Sequence, residues 1–247
     1  MNFLLLYLSD LLPWHQGSMK RTLQTLLMAA AFVAIPAGLS AAIIPTLFNT
    51  GVDASGNPLA IGSVDPHYQL VSFPAGSGFN SNTFVADTTQ SPINGAWVNP
   101  GATARWIGPT TNVVNMPSAT TTGEYIYQTT FDLTGFDPSS ALINGQWTVD
   151  DTSLGIVLNG TDMGNTINGS GAFTSLKSFT LNTGFIAGIN TLRFKVTNAV
   201  VPDLTNPSGL VVIMNGTANV VPEPASIISI AAGISLVLLR KRLRRSC

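Results

Sequence analysis

The chain of 247 residues contains a single cysteine, Cys247, at its last position. No disulfide can therefore form within the chain, and no cysteine-based metal cluster can be built. The stability of the folded part must come from a buried core. About 175 residues lie between the two ends of the chain, which is enough for one domain with such a core.

Charged residues are also scarce, at 9% of the chain, compared with about 25% in ordinary soluble domains. Between residues 43 and 219 there are ten acidic residues and four basic ones, so the net charge of this part is near −6. The remaining basic residues lie towards the two ends. Because the middle has no basic patch, the composition excludes nucleic-acid binding.

Groups that carry catalysis are few. The middle of the chain has one histidine, His67, with no nucleophile motif beside it, and one histidine cannot supply the three protein ligands of a catalytic zinc. Asp150 and Asp151 form the densest acidic spot, but neighbours on a strand point to opposite faces. At a turn, they would instead be able to join Asp162 or Asp132 as ligands of a structural Ca²⁺. We predict that the protein is not an enzyme and has no cofactor or metal site. The alternative to the last point is a structural Ca²⁺ site.

The first part of the chain has the pattern of a signal peptide. From Met19 a basic start precedes an apolar stretch, and Ser40 and Ala42 are the small residues at positions −3 and −1 of a cleavage site. We therefore interpret residues 19–42 as a signal peptide that signal peptidase cleaves after Ala42. In residues 1–18 the apolar residues come before the basic pair, so we interpret Met19 as the true start and 1–18 as an incorrectly assigned extension.

The last part of the chain predicts a short membrane helix. Residues 225–239 are all apolar or small, and as a helix they would span roughly 22 Å, against about 30 Å for the hydrocarbon core of a bilayer. A basic cluster follows, which the positive-inside rule keeps in the cytoplasm; its members are Arg240, Lys241, Arg242, Arg244 and Arg245. The body of the chain would then lie on the far side of the membrane.

A proline-flanked acid precedes this run, in the sequence Val221-Pro222-Glu223-Pro224. The two prolines keep Glu223 extended and outside the following helix. In order, the motif, the apolar run and the arginines of residues 220–247 resemble the PEP-CTERM sorting signal of bacterial surface proteins. The resemblance implies recognition by a membrane-embedded exosortase, removal of the tail, and a Gram-negative host that makes extracellular polysaccharide. The alternative is a permanent membrane anchor.

Residues 43–219 have the pattern of a single β domain. Turn-forming residues recur every 8 to 15 positions, and polar and apolar residues alternate from Tyr125 to Leu133 and again at Leu192, Phe194 and Val196. Asn-Gly pairs are the strongest short hairpin signal, and this part has five of them, beginning at Asn94, Asn144, Asn159, Asn168 and Asn215. The pattern predicts an all-β fold, a β-sandwich or jelly roll.

The order of the strand patterns resembles that of galactose-binding-like jelly-roll modules. An aromatic strand, YIYQTTFDLTGFDP, is followed by the hairpin Leu158-Asn159-Gly160 and later by GINTLRFKV at residues 188–196. The resemblance implies one β-sandwich, which the predicted signal peptide and sorting helix would flank. It brings no binding residue with it.

Tryptophans are the main candidates for a binding site, because an aromatic face can stack on a sugar ring while polar groups bond its hydroxyls. The alternative is that they form the core of the sandwich. The candidate sugar-binding residues are Trp106, Trp97, Trp147, Arg105, Asp151 and Asn159.

Together these features predict a secreted, non-enzymatic protein of the cell surface or the exopolysaccharide matrix, either structural or carbohydrate-binding. Its precursor would be held in the inner membrane, and its partners would be signal peptidase, the exosortase and extracellular polysaccharide. Two alternatives stay open at this point: an extracellular polysaccharide hydrolase with two carboxylates facing one groove, and a self-assembling surface or adhesion protein with an uncharged free edge strand.

Overall fold

The computed structural model describes residues 40–169, 171–202 and 204–221, which belong to one compact unit, Ser40–Val221. Most of the predicted signal peptide, Pro222 to Pro224 of the sorting motif, the apolar run and the basic cluster lie outside the described residues. No helix in the described ranges is long and apolar enough to cross a membrane.

Eleven strands make up most of the regular structure in the described residues. They are β1 (Ala41–Ile43), β2 (Val64–Ser72), β3 (Asn82–Val85), β4 (Ile107–Gly108), β5 (Gly123–Asp132), β6 (Phe136–Asp150), β7 (Thr152–Leu158), β8 (Thr161–Asp162), β9 (Lys177–Leu181), β10 (Ile189–Asn198) and β11 (Gly209–Val220). One short helix, α1 (Ser118–Thr121), and two 3-10 turns, Val113–Asn115 and Ala172–Thr174, complete the regular structure. The predicted all-β class is confirmed.

The strands form a single curled antiparallel sheet, in the order β8-β7-β10-β5-β2-β3-β4-β11-β6-β9, and β1 also pairs with β11. The curl brings the two halves of the sheet face to face. Trp147 of β6 meets Phe194 of β10 with ring centroids 5.3 Å apart, and Phe179 of β9 meets the same ring at 6.3 Å. The core of this sandwich therefore lies between β10 and the pair β6–β9.

The predicted alternation is present in both strands where the sequence indicated it. On β5, Tyr125, Tyr127 and Phe131 are buried on one face. On β10, Leu192, Phe194 and Val196 are buried, while the intervening residues are more exposed. Both strands are central in the sheet, so their apolar faces reach the core directly.

The five Asn-Gly pairs do not all form turns. Asn159 and Gly160, both with positive φ, make the two-residue turn between β7 and β8. The pairs at Asn94 and Asn168 lie in loops outside the strands. The hairpin prediction is wrong at Asn144 and Asn215, which lie inside β6 and β11 and are register partners of each other.

Packing, rather than a turn, accounts for Gly145 and Gly216, the glycines of the two Asn-Gly pairs inside strands. A Cβ on Gly145 would run into the ring of Phe179 and lie 2.8 Å from the carbonyl oxygen of Ile213. A Cβ on Gly216 would lie 2.9 Å from Cδ1 of Ile44. Each glycine thus lets a large side chain lie directly on the backbone of a central strand.

Replacing Gly145 tests this close approach. We expect Gly145→Ala to lower the free energy of unfolding by about 1–3 kcal/mol, because the added methyl group overfills a packed site. The measurement is urea unfolding of the full chain. Gln146→Ala, an exposed neighbour on β6, is the matched control and should change the stability little. Equal stability of the two variants would contradict the packing explanation.

The first and last strands, β1 and β11, are neighbours in the sheet. The backbone N–H of Val220 donates to the carbonyl oxygen of Ser40 at 3.2 Å, and Ala42 lies opposite Ala218 in the pairing of β1 with β11. The predicted cleavage after Ala42 therefore falls within β1. A chain that begins at Ile43 would keep only one residue of that strand.

Candidate functional site

A groove of about 630 Å³ lies near the beginning of β11. The loop that precedes β4 forms most of it, with Trp97 and Trp106 as aromatic walls and Arg105 as a cation. Its neutral polar lining comes from Thr88, Asn94 and Asn99. The Trp97 ring lies against Gly209, the first residue of β11, where a Cβ would be 2.8 Å from the ring.

The two tryptophans pack on each other, with ring centroids 4.2 Å apart. The indole N–H of Trp97 donates to Oδ2 of Asp150 at 2.8 Å, and that of Trp106 donates to the carbonyl oxygen of Val98 at 2.9 Å. Only 6% of Trp97 and 2% of Trp106 is exposed. The groove is therefore walled by small exposed parts of both residues, and no open ring face is presented on which a sugar could stack.

Asp150, behind Trp97, is 4% exposed. Burial raises the pKa of its carboxyl group to about 8, and the neighbouring Asp151 carboxylate adds to this by charge repulsion and by accepting a hydrogen bond from the protonated form. The hydrogen bond from Trp97 acts in the opposite direction. Oδ1 of Asp150 meets no donor among the described residues, as expected if Oδ1 carries the proton. At neutral pH Asp150 is therefore mainly uncharged.

The raised pKa of Asp150 makes the folded state less stable as the pH rises. The folded chain holds a proton on Asp150 up to about pH 8, whereas the unfolded chain releases it near the ordinary value of 3.8. The contribution of this group to stability is complete below pH 4 and is lost as the pH rises through 8. At about 1.4 kcal/mol per pKa unit, the loss is on the order of 5 kcal/mol.

Asp150→Asn tests this assignment, because an amide can accept from Trp97 and donate to Asp151 as the protonated acid does. We expect the variant to be about as stable as the parent chain near pH 4 and more stable at pH 8 to 9. The measurement is urea unfolding of both chains across this range. If the free energies of unfolding of the two chains differed by the same amount at every pH, the assignment of a proton to Asp150 would be contradicted.

Asp151 lies in the bend between β6 and β7, so strand alternation does not separate it from Asp150. Its Oδ2 accepts hydrogen bonds from the backbone N–H of Ala199 and from Nδ2 of Asn206, both at 2.7 Å. Nδ2 of Asn206 also donates to Oδ1 of Asn198 at 2.9 Å. Asp151 thereby fixes the loop after β10 and does not line the groove.

Two other predicted residues also lie away from the groove. Trp147 is 1% exposed and belongs to the core beside Phe194. Asn159 sits in the β7–β8 turn, where its Nδ2 donates to Oδ1 of Asn190 at 2.8 Å and to the carbonyl oxygen of Gly184 at 2.9 Å. Of the six candidates, the structure brings Trp97, Trp106 and Arg105 together.

Hydrogen bonds fix both the backbone and the side chain of Arg105. Its backbone N–H donates to the carbonyl oxygen of Thr50 at 2.9 Å, and Oγ1 of Thr50 donates to the carbonyl oxygen of Arg105 at 2.8 Å. Its Nη1 donates to the carbonyl oxygens of Gly101 and Ala104. The start of the side chain lies on Gly51, where a Cβ would clash with it.

Acidic residues do not gather into a site in the described ranges, where no group of three or more His, Cys, Asp or Glu is placed to hold a metal ion. Asp132 and Asp162 accept hydrogen bonds from residues of their own turns, Thr134 and Gly164. Apart from Arg105, no residue that lines the groove carries a charge. The arrangement suits binding of a polar ligand through neutral groups and one cation.

Sequence reasoning missed Thr88, Asn94 and Asn99 as lining residues. Asn94-Gly95 and Asn99-Pro100 do mark loops, but the sequence contains no signal that folds both loops against the same tryptophans.

Comparison with protein-family models, curated proteins and solved structures found no match to this chain.

Proposed function

We propose that this chain is an exported, non-enzymatic β-sandwich protein of the cell surface or its polysaccharide matrix, and that the groove at Trp97 and Trp106 binds carbohydrate. The observation that carries the proposal is the composition of the groove: neutral hydrogen-bonding side chains beside aromatic walls, in a volume of about 630 Å³. Small-molecule sites typically have volumes of about 300–1,000 Å³.

The chemistry of the lining suits sugar hydroxyls. A hydroxyl is both a donor and an acceptor, and so are the Thr88 hydroxyl and the Asn94 amide, for which the structure gives no side-chain hydrogen bond within the described residues. The lining lies mainly on loops that a rigid sheet supports, which is where binding residues concentrate. The groove would hold one or a few sugar units through these groups.

The position of the groove near the start of β11 supports a surface role. Trp97 lies against Gly209 at the start of the strand, whereas the proposed sorting motif begins at Val221, directly after its end. Eleven steps along a strand cover on the order of 35 Å. The sorting signal that follows Val221 would therefore leave the domain far from the ligand. Signal peptidase and an exosortase would be the partners during export.

The curled antiparallel sheet also supports the finer proposal of a galactose-binding-like jelly roll. The hairpin at Leu158 to Gly160 joins β7 to β8, and the later strand β10 lies between β5 and β7. Ligands of β-sandwich modules commonly bind at loops at the end of the sheets. The groove at the beginning of β11 is in such a place.

The two rival functions receive less support from the described residues. A polysaccharide hydrolase needs two carboxylates that face one groove, whereas Asp150 is buried behind Trp97 and Asp151 bonds the loop after β10. Self-assembly through a free edge would favour an uncharged strand. The edge strands β9 and β8 carry the exposed charges of Lys177 and Asp162, which disfavour such pairing, and the uncharged edge strand β1 has only three residues.

Removal of the neutral polar groups tests carbohydrate binding. We expect the double variant Thr88→Val, Asn94→Ala to weaken binding about 10- to 30-fold, because each lost hydrogen bond is worth about 1 kcal/mol. The measurement is binding of the full chain to an array of neutral and acidic bacterial polysaccharides, followed by titration of the best oligosaccharide. Ser178→Ala on β9 is the control and should bind like the parent. Failure of the parent chain to bind any array member would overturn the proposal.

The two proposed processing steps predict the mass of the mature protein. We expect protein from the native cell surface and medium to begin after Ala42 and to end between residues 222 and 225, as measured by intact mass spectrometry. A protein that retains residues 227–247 would instead be anchored in the membrane, which would contradict sorting. A protein that begins before Ala41 would keep β1 whole and would place the cleavage site elsewhere.

A further inference from the structure

We infer that the ligand of the groove carries a carboxylate and that Arg105 binds it through two parallel hydrogen bonds. This inference rests on the proposed carbohydrate binding and specifies its ligand as an acidic sugar. The feature that carries it is the way in which the structure uses one side of the Arg105 guanidinium group and leaves the other side open.

The guanidinium group of arginine has five N–H donors in a fixed plane. Nη1 of Arg105 donates to the carbonyl oxygens of Gly101 at 3.1 Å and Ala104 at 3.0 Å. Nε and Nη2 make no hydrogen bond to the described residues. These two nitrogens form the edge of the group that binds a carboxylate with two bonds.

The chain supplies no carboxylate for this edge in its described part. The salt bridge found there joins Lys195 to Glu124 at 3.6 Å, and Arg105 takes part in none. Arg193, by comparison, donates from Nε to Oε1 of Gln128 on the face of the sheet. Arg105 is thus an unpaired cation in a groove, within a domain whose net charge is near −6.

The backbone of Arg105 is held in advance, which reduces the entropy lost on binding. Thr50 hydrogen-bonds both the N–H and the carbonyl oxygen of Arg105, and Gly51 lies beneath the start of its side chain. A cation that only made the surface more soluble would need no such support. The arrangement is that of a positioned receptor for an anion.

Sugar units that carry a carboxylate include hexuronates and sugars with a pyruvate ketal. In either one the carboxylate would bind the open edge of Arg105, while the ring hydroxyls would bond Thr88 and Asn94. A charge-assisted pair of hydrogen bonds is stronger than neutral ones, so we expect the acidic sugar to bind at least tenfold more tightly than its neutral counterpart. Salt should reduce this advantage.

The test uses matched pairs of ligands and the full chain. The probes are oligomers of galacturonate, glucuronate and mannuronate, each beside its carboxyl-reduced neutral form, together with a pyruvylated galactan and a sulfated galactan. Affinities are measured by titration calorimetry at low and at high salt. The protein variants are Arg105→Met, which keeps the apolar stem, Arg105→Lys, which keeps the charge without the planar fork, and Arg193→Met as the control on the sheet face.

We expect a carboxylate-bearing probe, either a uronate or the pyruvylated galactan, to bind best. Arg105→Met should abolish the preference over the neutral form but keep neutral binding. Arg105→Lys should keep part of the preference, and Arg193→Met all of it. If neutral forms bind the parent chain as tightly as acidic ones, or if the sulfated galactan binds as well as the carboxylates, the inference is overturned and carbohydrate binding stands. If no probe and no array polysaccharide binds, both the proposed carbohydrate binding and the inference of an acidic ligand are overturned.

Discussion

The hydrogen bond from Trp97 to Asp150 connects the groove to the sheet. It joins a long loop to the last residue of β6, at the point where Asp150 pairs with Gly209 of β11. Ser208 adds a hydrogen bond from its hydroxyl to the carbonyl oxygen of Asp150 at 2.9 Å. The wall of the groove is thereby attached to the two longest strands of the fold, so its shape depends on their pairing and not on the loop alone.

This bond also explains how a carboxyl group can be buried without a cation. A buried charge is expensive unless it is paired, and no lysine or arginine forms a salt bridge with Asp150 among the described residues. Protonation removes the charge, and Trp97 and Asp151 then satisfy the remaining polar atoms. Other acids of the domain are used locally instead: Asp53, Asp87 and Asp132 accept hydrogen bonds from their own turns, which lowers their pKa values.

The sequence predicts those features that depend on near neighbours in the chain. Tyr125 to Phe131 and Leu192 to Val196 were placed correctly because a half-buried strand shows its buried face in every second residue. The turn at Asn159 followed from the tolerance of Asn-Gly for positive φ. The cluster of Trp97, Trp106 and Arg105 was partly foreseeable, because these residues lie within ten positions of each other.

What the sequence could not predict depends on contacts between distant segments. Gly145 is a glycine because of Phe179, and Gly216 because of Ile44, so the Asn-Gly pairs there gave a false turn signal. The sequence predicts Asp151 and Asn159 as ligand-binding groups, but Asn206 and Asn190 bind them from more than 30 positions away. Trp147 faces the core because the sheet curls around Phe194, and no local pattern encodes that curl.

The burial of both tryptophans determines what kind of binding the groove can provide. A sugar stacked on an open indole face gains a large apolar contact, whereas a sugar in this groove would gain its affinity from hydrogen bonds that replace bonds to water, each worth little in net terms. The affinity of one site would therefore be modest. At the cell surface that we propose as its location, a repeating polysaccharide that engaged several copies of the domain at once would be bound more tightly than by a single site, by orders of magnitude. For the carbohydrate binding that we propose, a polar groove with one positioned cation would therefore suit retention of a polymer better than capture of a free sugar.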